Sequence, residues 1–129
     1  MRAMLIVRLG ALGDIIHALP MVAALRDRFP EAVIDWVVDE RHRDVLDLVP
    51  MLNHRIVLRT QSVPLVTRLR ALRRVLTRQR YDIAIDAQGL LKSAVVARLS
   101  GAGRVLGFAT PHLRERSAGV FYTERHDPG

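Results

Sequence analysis

No cysteine occurs in the 129-residue chain, so disulfides, thiolate metal sites and cysteine nucleophiles are excluded together, and a reducing compartment is the natural setting. A metal would have to be held by histidine and carboxylate. The five histidines, His17, His42, His54, His112 and His126, are scattered, and no two stand at the i, i+4 spacing of a metal-binding helix, so no metal site is expected. Aromatic residues are scarce, with three Phe, two Tyr and one Trp. Few bases could be stacked, and there is no helix-turn-helix or RNA-binding signature, so a nucleic-acid partner is not expected. Long apolar runs are absent too. The opening run stops at Arg8, far short of a membrane span or signal core, and implies a cytoplasmic protein. Acidic residues are missing between Asp47 and Asp82, where eight arginines stand: Arg55, Arg59, Arg68, Arg70, Arg73, Arg74, Arg78 and Arg80. That block exceeds the net charge of +7 and points to an anionic partner, whether nucleic acid, phosphorylated glycan or lipid surface.

What is present suits one domain, since 50% apolar content fills a single core at this length. Four apolar runs, 4–7, 33–38, 55–58 and 83–86, read as strands, with a weaker fifth at 104–107. They are continuous rather than alternating, as in a parallel sheet covered on both faces, which predicts an α/β layer fold. Helical stretches fall between them. One runs from Asp14 to Phe29, with Pro20 kinking or restarting it, and a shorter one from Arg41 to Leu48. From Leu65 to Arg80, leucines at helical spacing share an amphipathic helix with six arginines. Leu90–Ser100 forms another, stopped by Gly101 and Gly103, and Leu113–Tyr122 a last one. The tail Arg125–Gly129 has no capping element and reads as a cut at a domain junction.

Chemistry gathers at two loops. The segment GALGDIIHALP, 10–20, follows the first strand, where the first loop of a doubly wound sheet opens onto the ligand crevice. Gly10 and Gly13 permit a tight turn and close approach of a ligand. The middle glycine of a dinucleotide fingerprint is missing and Asp14 occupies the helix start, which excludes a dinucleotide site. Asp14 is either an N-cap or a general base at the crevice mouth. His17, one turn on, either orients a substrate or packs. The second segment, DAQGLLKSA at 86–94, brings Asp86, Gln88, Gly89, Lys92 and Ser93 to the same edge, or is an ordinary strand end with a capped helix. Arg59 and Arg114 lie on further loops, and such guanidinium groups suit a multiply anionic sugar acceptor where they are not merely solvated. The basic helix is either a solvated face or a surface for anionic lipid.

Together, GALGDIIHALP, IDWVVDE at 34–40, YDIAIDAQGLLKSA at 81–94 and the RE-x-x-A-x-x-FY pattern at 114–122 resemble the lipopolysaccharide heptosyltransferases of glycosyltransferase family nine. The DAQGLLKSA form is most similar to the branch that adds heptose to the Kdo of the inner core. The resemblance implies a Rossmann-like doubly wound sheet with helices on both faces, one half of a GT-B architecture. It implies that 1–129 is the N-terminal acceptor-binding domain and that ADP-heptose, the donor, binds a C-terminal domain outside this chain. It further implies an inverting transfer without metal or cofactor, a Kdo-lipid A acceptor and a place at the cytoplasmic surface of the inner membrane. Asp14 matches the catalytic base, and Gly13, His17, Arg59, Gln88, Lys92, Ser93 and Arg114 match positions on the acceptor side. The domain alone is expected to be inactive. Family-nine transfer of another sugar and a non-catalytic basic Rossmann-like module are the alternatives.

Overall fold

The computed structural model describes residues 3–10, 12–47, 49–58, 64–87, 91–108 and 124–126. Strands β1 (Ala3–Val7), β2 (Val33–Asp39), β3 (His54–Leu58), β4 (Ile83–Asp86), β5 (Arg104–Phe108) and β6 (Glu124–His126) form one sheet in the order β3-β2-β1-β4-β5-β6. Each pairing is parallel. All five residues of β1 are buried, as a central strand covered on both faces requires. The expected strands are therefore present within a residue or two of their sequence bounds. β6 is an addition: its three polar residues carry no apolar signal, and the strand exists through pairing with β5.

Helices cover both faces. Helix α1 (Leu12–Arg28) and the short α2 (Arg43–Leu46), which follows a 3-10 turn at Glu40–His42, lie over Met4, Ile6, Ile34, Trp36 and Val38. Helices α3 (Leu65–Arg78) and α4 (Leu91–Leu99) lie over Leu5, Val7, Val37, Ala84 and Val105. The alternation along each strand thus sorts side chains between two cores. Fully buried residues such as Trp36, Ile6 and Ile15 each contribute about 1.5–3 kcal/mol relative to exposure. Pro20 lies within α1, which continues as one helix to Arg28 rather than restarting. Gly101, at φ +71°, takes the left-handed conformation that ends α4, the stop expected from its sequence position. Among the described residues, no helix is long and apolar enough to cross a membrane.

The basic block is not one surface. Arg55 is half-buried, and its guanidinium donates to the carbonyls of Leu46 (2.6 Å) and Val49 (2.8 Å), tying the turn after α2 to β3. Arg70, Arg73, Arg74 and Arg78 are exposed on α3, while Leu72 and Leu76 on its other side are buried. Arg59 and the stretch expected to form the last helix, 113–122, lie outside the described residues.

Candidate functional site at the sheet switch point

The strand order reverses direction between β1 and β4, and in such a sheet the connections leaving the carboxyl ends of the two strands diverge to opposite faces, which is where ligands bind. Arg8 follows β1 directly into this place. Its backbone N–H donates to the Val37 carbonyl (3.3 Å), and its carbonyl accepts from the Trp36 indole Nε1 (2.9 Å), so its main chain is held from the β2 side. Its side chain, 9% exposed, turns towards β4, where Nη1 donates to the Ala87 carbonyl at 2.5 Å. The other terminal nitrogen, Nη2, lies 2.7 Å from Oδ2 of Asp14, in the first turn of α1. A buried guanidinium needs such partners, because desolvating an unpaired charge costs several kcal/mol.

Asp14 therefore stands inside the helix, not ahead of it as an N-cap. The helix dipole and Arg8 both favour its negative charge, and its side chain keeps 37% of its surface open. A carboxylate so placed is oriented from behind and reachable from the front. Gly13 and His17, beside it on the first two turns, are exposed. A Cβ at Gly13 would meet nothing within 4 Å, so the helix surface beside Asp14 in sequence is open there. Gly10 is different: a Cβ there would come within 3.0 Å of the His42 ring, so any larger residue would have to push that ring aside by a few tenths of an ångström.

The neighbouring strand ends are also acidic. Asp39, ending β2, is buried and accepts from the backbone N–H (3.1 Å) and Nε (3.2 Å) of Arg41, while its own N–H donates to Leu9 in the β1 loop (2.9 Å). Asp86, ending β4, is likewise buried. The structure thus unites Asp14, Gly13 and His17 with Arg8, Asp39, Asp86 and His42 at one edge. Ser93 is fully buried in α4, which puts its hydroxyl out of reach of solvent. Lys92 belongs to α4, with its side chain outside the described part, and Gln88, Arg59 and Arg114 lie outside the described residues altogether.

Sequence reasoning passed over Arg8 and Asp39. Both carry the same signal, a charge at the carboxyl end of a buried, mostly apolar parallel strand, where the side chain starts inside the protein and must find a partner there.

Comparison with known proteins follows the same lines. Residues 69–129 match the family described as glycosyltransferase family 9 (heptosyltransferase). The chain is 33% identical to lipopolysaccharide heptosyltransferase 1 of Escherichia coli K12 over 129 residues, 95% of this chain and 40% of that protein. It is 34% identical to the protein of that name from Pseudomonas aeruginosa, covering 92% of this chain and 35% of the relative. The structure of E. coli heptosyltransferase WaaC with ADP-2-deoxy-2-fluoro heptose superposes with a TM-score of 0.83 at 30% identity, over 98% of this chain and 42% of that one. The chain spans about two fifths of the length of its E. coli K12 relative. Sequence and fold agree along nearly all of its residues, and the chain is similar throughout to the N-terminal part of heptosyltransferases of glycosyltransferase family 9.

Proposed function

We propose that this chain forms the acceptor-side half of a GT-B heptosyltransferase of lipopolysaccharide core synthesis, with Asp14 as general base. The observation that supports this reading is the Asp14 carboxylate: paired with a buried arginine at the switch point, it keeps 37% of its side-chain surface open. In the reaction, Asp14 takes the proton of a Kdo hydroxyl as that oxygen attacks the anomeric carbon of ADP-heptose. The bond to the diphosphate breaks on the opposite side, the configuration inverts, and ADP departs with the electron pair. The donor binds the polypeptide's other half, and the scheme uses no metal or cofactor. The acceptor-side half alone gives no turnover.

The acceptor is a Kdo-lipid A, an anionic glycolipid at the cytoplasmic face of the inner membrane. Exposed Leu65, Val66 and Val75 beside the exposed arginines of α3 suit contact with anionic head groups, an attraction that salt weakens.

The test is heptose transfer from ADP-heptose to deacylated Kdo-lipid A by the two-domain protein, with Asp14 intact and with Asp14→Asn. The expected result is a fall in kcat of about a hundredfold or more with acceptor binding retained. Unchanged turnover in the variant would move the base elsewhere in the crevice, and no transfer by the intact protein would overturn the heptosyltransferase reading.

A further inference from the structure

Arg8 is tied on three sides. Its backbone is fixed to β2 through Val37 and Trp36, one guanidinium nitrogen is fixed to the chain leaving β4 at Ala87, and another meets Asp14 on α1. Those contacts join the segments leaving the carboxyl ends of β1 and β4, the edge where a doubly wound sheet binds its ligand. The fork of donors is what allows one buried side chain to serve a carbonyl and a carboxylate at once, which a lysine ammonium cannot do with the same planar geometry. A carboxylate on the first turn of a helix can otherwise rotate towards the helix's own amide groups.

We infer that Arg8 is a positioning residue for proton transfer: it holds the Asp14 carboxylate ionised and aimed into the crevice, without touching substrate itself. The inference rests on the reading of Asp14 as the base. Its chemistry is specific. An adjacent guanidinium keeps a base unprotonated at lower pH, and a fixed Oδ2 sets where the carboxylate can receive the proton. The other charged groups around this edge are Asp86 at the end of β4, Asp39 with Arg41 and Glu40 after β2, His42 against Gly10, and His17 on α1.

The experiment uses the two-domain enzyme with Arg8→Gln, Arg8→Lys, Asp14→Asn and the Arg8→Gln/Asp14→Asn double variant. Arg8→Gln is expected to lower kcat by about 10- to 100-fold with KM values changed less than about threefold, and to move the acidic limb of the kcat profile to higher pH. Arg8→Lys, which keeps the charge and loses the fork, should recover part of kcat and return the acidic limb towards the parent. The double variant should be no slower than Asp14→Asn alone, since Arg8 acts only through Asp14. Arg8 variants that lose thermal stability but keep kcat and the pH profile, while Asp14→Asn remains slow, would overturn the positioning role and leave a purely structural tie. If Arg8→Gln does not fold, Arg8→Lys decides: parental kcat and profile overturn the role, and a slower enzyme supports it. Full turnover by Asp14→Asn would remove the base reading instead, so the two failures are distinguishable.

Discussion

Asp14, on helix α1, and Asp35, in strand β2, are both paired aspartates, and they sit in opposite circumstances. Asp35 lies within β2, 2% exposed, where it accepts from the Tyr81 hydroxyl (2.5 Å) and lies 3.0 Å from Nδ1 of His54. Its partners come from the start of β3 and the approach to β4, so it ties three successive parts of the sheet together. Asp14 pairs with a buried cation and still keeps 37% of its side-chain surface open. A carboxylate enclosed by protein donors spends its capacity on the fold, whereas one that keeps more than a third of its surface open retains room for a ligand. Their side-chain chemistry is identical. What separates them is position along the strand axis, with Asp35 inside the sheet and Asp14 past its carboxyl edge.

That contrast can be broken most severely at Asp35. In Asp35→Ala, the buried Tyr81 hydroxyl loses its acceptor, and the expected loss is about 3 kcal/mol of unfolding free energy in denaturant titration. In the two-domain protein the kcat of the folded fraction should stay near the parent's, the reverse of Asp14→Asn, which should lose turnover while its amide oxygen can still accept from Arg8. Equal loss of kcat in both variants would erase the distinction.

A smaller effect concerns pH. Burial, reinforced by the hydrogen bond to Asp35 and by its charge, pushes the Tyr81 phenol well above its ordinary value of 10. The unfolded chain releases this proton near pH 10 while the folded chain keeps it, so the contribution is complete below that pH and declines as pH rises beyond it. Thermal melts between pH 8 and about 11 should show the decline in the parent, and Tyr81→Phe should flatten it. An identical slope in both proteins would place the alkaline weakness elsewhere.

The smallest change sharpens the crevice side. Gly13→Ala places a methyl group in open space within a helix, and should stabilise the fold by about 0.5 kcal/mol. If the acceptor approaches the helix there, its KM rises while Tm also rises. A stabilised variant with unchanged acceptor KM would show that the ligand passes Asp14 on another side.

Much of the fold was legible because local patterns agree with tertiary placement. Continuous apolar runs announced the parallel strands, and the leucine spacing announced α3 with its arginines outward. Gly101 marked the end of α4 through its conformational freedom. β6 was not legible, since Glu124, Arg125 and His126 form a strand only by pairing with β5. The basic block was legible as charge but not as geometry: Arg55 turned inward to two carbonyls, while four arginines of α3 stayed outside. At the site, Asp14 could be located after the first strand, yet its two readings, cap and base, could not be separated by spacing.

By itself the sequence determined the layers, the order of strand and helix, and the crevice edge where Asp14 and Asp86 would stand, because hydrophobic periodicity and helix termini are local properties. Only the tertiary structure decided that Arg8 folds back to Asp14 across the end of β4, and that Asp35 is closed in by a tyrosine 46 residues away. Such pairings depend on which strands become neighbours, and a buried charge takes whichever partner that arrangement brings within reach.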